Sequence, residues 1–219
     1  MKKTLSIIFT IACVILISSC GGGSGSGGSK LAKNNFLGDM PNIVYQKHLT
    51  DSIRNAEEKA ALSKITGKSN SDMEKAMKIY EKFKTRRKTE DEQLKANIEK
   101  IKPELIGKDI PFEVEKGAGY EITYCKISDV ESSSISVDFE VKITDVAVAG
   151  ISNYGKPRIV VTVQDIDKDG KQIGANGAYY IDISGKENGA TGKSKLIVSI
   201  SKRDAKEYTN FANFKFIKN

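Results

Sequence analysis

Three rhythms of hydrophobic and polar positions run along the chain. Apolar residues are almost continuous from Leu5 to Ile17, recur at intervals of three and four between Asn42 and Lys102, and alternate with polar ones from Ile110 onward. Intervals of three and four put side chains on one helix face, whereas strict alternation puts them on one face of a strand. The pattern predicts helices first and sheets second.

The helical stretch is rich in Ala, Glu, Lys, Leu, Met and Ile and breaks at Thr66-Gly67-Lys68-Ser69-Asn70. Before the break Pro41 suits a first helical turn, and Leu49, Ile53, Ala56 and Ala60 form a candidate buried stripe. After it, Ser71-Asp72-Met73-Glu74 reads as a capping box, in which a hydroxyl and a carboxylate satisfy amides that the first turn leaves open. Met73, Ala76, Tyr80 and Phe83 give the second helix its apolar edge, which resumes at Leu94, Ile98 and Ile101 before Pro103 ends it. Between them the run KTRRKTEDEQ is polar all round, and Thr89-Glu90-Asp91-Glu92 repeats the capping pattern, so the helix is expected to bend or restart there. Two antiparallel helices joined by a five-residue turn are expected over residues 41 to 105.

Alternation is clearest at residues 135 to 144, where Ile135, Val137, Phe139, Val141 and Ile143 point one way and Ser136, Asp138, Glu140, Lys142 and Thr144 the other. Further strands are expected near 110 to 115, 120 to 128, 158 to 166, 171 to 183, 194 to 202 and 213 to 218, between clusters of Gly, Asn, Asp and Ser. The fold class is therefore α+β: a helical hairpin, then an antiparallel β-sandwich of about seven strands over residues 106 to 219. The sandwich is expected to be immunoglobulin-like, with a barrel as the alternative, although the Cys…Trp…Cys hallmark is missing and the chain has no tryptophan.

The N-terminal rhythm has a different meaning. Met1-Lys2-Lys3 is a short cationic start, and the apolar run of about 13 residues is shorter than the roughly 20 that cross a bilayer as a helix. Residues 1 to 19 are expected to be a cleaved signal peptide. Its end, Ile17-Ser18-Ser19-Cys20, resembles the lipobox of bacterial lipoproteins: a branched aliphatic residue, two small residues, and the cysteine that is acylated and becomes the new N-terminus. Several acyl chains at about 0.8 kcal/mol per buried CH₂ would make such an anchor permanent. The following GGGSGSGGS is a flexible leash with a reach of roughly 15–18 Å, so residues 20 to 40 are expected to be an acylated cysteine and linker. The chain resembles small uncharacterised bacterial lipoproteins in which a lipobox and leash precede a β-sandwich, sometimes with a helical insert. That resemblance implies attachment to the cell envelope, and Gly21 in place of Asp implies an outer membrane, facing the periplasm.

Charge sharpens this picture. Of the formal +7, residues 20 to 106 carry 17 basic against 12 acidic groups and residues 107 to 219 carry 16 of each. With Cys13 in the signal and Cys20 acylated, only Cys125 remains, so no internal disulfide is expected. The basic run Lys82-Phe83-Lys84-Thr85-Arg86-Arg87-Lys88 is expected to be a solvated face balanced by Glu90, Asp91 and Glu92, with contact to an anionic lipid surface, lipopolysaccharide or an acidic partner as the alternative; export and the neutral second half argue against nucleic acid.

Candidate chemistry is sparse. Asp165-Ile166-Asp167-Lys168-Asp169-Gly170 matches the start of a calcium loop, but Asn176 stands where a bidentate Glu belongs, and Asp-Gly between alternating runs is a hairpin signal. A plain turn is expected, with weak calcium binding through Asp165, Asp167 and Asp169 as the alternative. His48 is the only histidine, so any triad, dyad or zinc site would have to use it; a helix-surface histidine is expected instead. Gly117-Ala118-Gly119 is read as a hairpin turn between the first two strands. Tyr179 and Tyr180 are the best candidates for stacking on a small ligand or glycan. No catalytic residue, metal site or cofactor site is assigned, and the expectation is a non-enzymatic envelope lipoprotein lipidated at Cys20 that engages a protein or an envelope polymer, with a small-ligand or glycan-binding lipoprotein as the alternative and a hydrolase, for which no carboxylate pair stands out, behind it.

Overall fold

In the computed structural model the described residues are 31 to 218, except Thr66, Lys68, Asn153, Tyr154, Lys202 and Arg203. The expected signal peptide, Cys20 and the Gly/Ser tract lie outside them. Helix α1 spans Met40–Leu62 and α2 Asn70–Leu105. The strands are β1 (Phe112–Val114), β2 (Tyr120–Val130), β3 (Ser134–Ile143), β4 (Arg158–Asp167), β5 (Gln172–Asp182), β6 (Thr191–Ser199) and β7 (Phe211–Lys218). A single helical turn, α3 (Val146–Ala149), precedes β4, and a 3-10 segment, Asp204–Asn210, precedes β7.

The fold is α+β, helices followed by mostly antiparallel strands. Four strands form a sheet in the order β1-β7-β4-β5 and three form a second in the order β2-β3-β6; neither closes. β1 runs parallel to β7. All seven strands stand where alternation places them, because one face of each is buried and the other wet. In β3 the five residues Ile135, Val137, Phe139, Val141 and Ile143 are each 1% exposed or less. Its wet face carries cross-strand charge pairs, Lys195 to Asp138 and Lys193 to Glu140, which explains how the second half of the chain balances its charge. β2 and β3 pair within one sheet, whereas the second and third strands of an immunoglobulin domain, in its ABED and CFG grouping, lie in different sheets. β1 and β2 lie in different sheets, so Gly117-Ala118-Gly119 is a crossover between sheets and not the hairpin turn expected. Gly119 sits at φ +78°, and a Cβ there would lie 2.5 Å from the Ala149 backbone nitrogen, so the turn admits only glycine against α3.

The sheets touch through aromatic rings. Phe139 on β3 stands edge-on to Tyr179 on β5, centroids 6.1 Å apart, and tilted against Phe216 on β7 at 5.3 Å. At one side the strands β5 and β6 approach so closely that a Cβ on Gly192 would lie 2.4 Å from the Asp182 carbonyl oxygen.

The hairpin joins this core only at its base. Leu37, Met40 and Leu105 are buried with the sheet residues, Tyr45 lies beneath the Lys206 ammonium, and Gly107 N–H donates to the Ile127 carbonyl. Packing already begins at Asn34, inside the segment expected to be linker. Its side chain accepts hydrogen bonds from the amides of Phe36 and Leu37 and donates to the carbonyls of Thr209 and Phe211. The helices, about 35 and 54 Å long at 1.5 Å per residue, extend from that base as an arm.

Five helical expectations are corrected. The connection between the helices runs from Ser63 to Ser69, longer than the five residues expected, and the cap is Ser69, whose hydroxyl accepts from the Asp72 amide. The helix does not restart at Thr89, and Pro103 lies inside its last turn. Most tellingly, α1 turns Val44, Lys47, Asp51, Arg54, Glu58 and Ala61 toward α2, and the expected stripe lies on the opposite side, with Ile53 55% exposed.

Candidate functional site

The arm is the most distinctive feature of the molecule. Its seam is zipped by ions rather than by a continuous apolar stripe. Arg54, on α1, pairs with Glu90 on α2 and with Asp51 at 2.8 Å. Lys47 bridges Asp51 and Asp91 at 2.6 and 3.1 Å. Arg86 pairs with Glu57 and Glu90, and Arg87 with Glu58 at 3.1 Å. Burial works against the charge of Lys47, yet the hydrogen bonds that its ammonium donates to Asp51 and Asp91, with the charges of those carboxylates, outweigh it and lift its pKa above the ordinary lysine value. Burial likewise pushes the Asp51 carboxyl upward, and Lys47 and Arg54 more than reverse it.

This arrangement changes the meaning of the basic run. Arg86 and Arg87 hold the two helices together, Lys84 lies 3.5 Å from Glu81, and Lys88 lies 4.0 Å from Glu92. The run is therefore partly internal structure. A different surface is left open nearby: Met73, Met77 and Tyr80, spaced four and three along α2, are 61%, 69% and 55% exposed. Arg87 ties this row to α1, since its guanidinium lies over the Tyr80 ring, 5.8 Å from the centroid, while pairing with Glu58. Glu58 in turn lines a shallow open depression with Asn55, Lys59, Leu62 and Ser63.

The other candidates are scattered. His48 is half-buried on α1 and its Nδ1 lies 3.5 Å from the Ser52 hydroxyl, which donates to the His48 carbonyl. Cys125 is buried on β2, and burial pushes its thiol up to about 12, far from a reactive thiolate. No group of three or more His, Cys, Asp or Glu side chains converges as a metal would require among the described residues. Asp167 Oδ1 accepts from the amides of Asp169 and Lys171, closing the β4-β5 hairpin as an Asx turn. Tyr179 faces the core, where its phenol hydrogen-bonds the backbone of Ile197, while Tyr180 points outward at 69% exposure. Alternation thus separates the two tyrosines that sequence proximity had grouped.

Asp165 is buried, and its carboxylate accepts a hydrogen bond from the Tyr208 hydroxyl. Gly174, at φ +67°, makes this possible, because a Cβ there would lie 2.4 Å from that hydroxyl. Burial raises the Asp165 carboxyl to about 6, against the lowering by the Tyr208 hydrogen bond. The folded chain thus holds this proton more tightly than the unfolded chain, whose carboxyl titrates near 3.9. The stabilisation is complete below about pH 4 and lost as pH rises through about 6. Asp165→Asn keeps an oxygen for Tyr208 without the charge. It should stabilise the protein at pH 7 by on the order of 2 kcal/mol and change little at pH 4. Urea unfolding at both pH values checks this, and equal effects at both would mean that Asp165 bears no charge penalty.

No family model matches this chain, no curated protein matches it, and no solved structure matches it.

Proposed function

We propose that the chain is a non-enzymatic cell-envelope lipoprotein, anchored through acylated Cys20 and facing the periplasm from the outer membrane, with the helical arm as its contact element toward a protein or an envelope polymer. The observation that carries this reading is Ile17-Ser18-Ser19-Cys20 between an apolar run and GGGSGSGGS. Small residues before the cysteine suit a peptidase cleft, and the leash lifts a folded body off the surface. The arm supports the contact role, because it stands out from the core and leaves apolar side chains uncovered. We read the two facing sheets as a β-sandwich that carries the arm; the Phe139 contacts across them support this. Exposed Tyr180 favours a second reading, a small-ligand or glycan-binding lipoprotein, but it stands without Tyr179 beside it.

Expression with an alkyne-tagged fatty acid should label the wild-type chain and leave Cys20→Ser unlabelled and held at the larger, unprocessed mass. A wild-type chain that takes up no label would overturn the proposal.

A further inference from the structure

We propose that the outer half of the arm docks on an anionic lipid surface through Met73, Met77, Tyr80 and Leu62. Three observations lead there. First, these side chains form one flank: Met73, Met77 and Tyr80 follow one another at helical spacing, and Arg87 links Tyr80 to Glu58, one turn from Leu62. Second, the flank is rimmed by exposed Lys59, Lys84 and Lys88, and residues 64 to 88, leaving aside Arg86 and Arg87 of the seam, hold seven basic against three acidic groups. Third, where α1 borders the flank, at Asn55, Glu58, Lys59, Leu62 and Ser63, the surface is shallow and open, which suits a plane better than an inserted peptide. Apolar side chains flanked by lysines are how an interfacial helix enters the boundary between headgroups and acyl chains, with the ammonium groups among lipid phosphates.

The ion zipper fits the same role. By pairing Arg86 and Arg87 inward it keeps two long helices together without consuming Met73, Met77 or Tyr80 in the seam. This inference deepens the reading of the chain as membrane-anchored and rests on it for the surface being within reach. At the base of the arm the Leu31 amide donates to the Asn42 side chain, so an anchor at Cys20 would hold the arm close to its own membrane.

The test uses the full chain carrying Cys13→Ser, Cys20→Ser and Met77→Cys, with an environment-sensitive fluorophore on residue 77; Cys125 is buried and stays unlabelled. A parallel chain carries the label at Lys171→Cys, in the exposed β4-β5 turn. The probes are vesicles of phosphatidylcholine alone or mixed equally with phosphatidylglycerol. The label at residue 77 should shift to the blue and be quenched by lipid-borne quenchers in the anionic vesicles only, salt should reverse this, and the label at residue 171 should not respond. Replacing Lys59, Lys84 and Lys88 by Gln should lower the docked-to-undocked ratio about 100-fold, at about fivefold per lysine near an anionic surface. A water-exposed signal at residue 77 on anionic vesicles overturns the proposal. So does an equal response to neutral vesicles, a response to polyglutamate alone, which assigns the flank to an acidic protein, or one that grows with protein concentration without lipid, which assigns it to a second copy. Because this chain cannot be acylated, the result is independent of the labelling test at Cys20.

Discussion

Replacing Phe139 by alanine should lower the free energy of unfolding by about 3–5 kcal/mol. The ring is fully buried on the central strand of the three-stranded sheet, and it touches Tyr179 and Phe216, which belong to the other sheet. Truncation removes its transfer energy and leaves a cavity between two sheets whose backbones cannot collapse onto it, since β2 and β6 hold β3 on both sides. The lost aromatic pairs add to this, at about 0.5–1.5 kcal/mol each. Tyr180→Ala is the matched control: one residue from Tyr179 but on the wet face, it should change stability by no more than about 0.5 kcal/mol. Urea unfolding of both variants makes the comparison. A loss below about 1 kcal/mol for Phe139→Ala would mean that the sheets do not depend on each other through this ring.

The sheet half was legible in the sequence for a simple reason: strands with one wet face write their burial as alternation, and Ile135 to Ile143 shows it without a break. Strand order was not legible, because alternation says which face is buried and nothing about the neighbour. The parallel pairing of β1 with β7 therefore had no signal, nor did the crossover at Gly117 to Gly119. The helices were legible as helices, and α1 was misread in rotation, whereas Phe83 and Ile98 of the edge expected on α2 are buried. Counting apolar residues selects Leu49, Ile53, Ala56 and Ala60, whereas the buried face of α1 carries Lys47, Asp51, Arg54 and Glu58. Charge at intervals of three and four is an equally good periodic signal, and it was present. Asn34 was missed because a polar residue after a Gly/Ser tract reads as more linker; the sign available was Gly38, whose φ of +58° closes the turn that Asn34 caps. At Asp165, the calcium-loop pattern drew attention to the carboxylate, but only the long-range contact with Tyr208 shows that it is buried.

The seam makes the second large prediction, and it concerns which ion matters most. Lys47, Arg54, Arg86 and Arg87 face Asp51, Glu57, Glu58, Glu90 and Asp91, so the network is already one cation short. Arg54→Met leaves three cations to five carboxylates, with Glu90 buried and held only by half-exposed Arg86. That should cost about 3–5 kcal/mol, as for other buried charges stripped of a partner. Glu90→Leu balances the remaining charges, leaves Arg54 with Asp51 and Arg86 with Glu57, and should cost clearly less. The double variant Arg54→Met/Glu90→Leu should recover most of the Arg54→Met loss, because two apolar chains of similar length then fill the site without desolvated charge. Simple addition of the two single losses would show that the residues act independently and would sink the account. Since the arm joins the core only at its base, it can open while the sheets remain folded, so global unfolding alone would understate the effect. Amide exchange along α1 should accelerate in Arg54→Met and return toward wild type in the double variant, while β3 amides stay protected in all three. Such a pattern would place the stability of the arm in its charges, which leaves its apolar side chains available to whatever it touches.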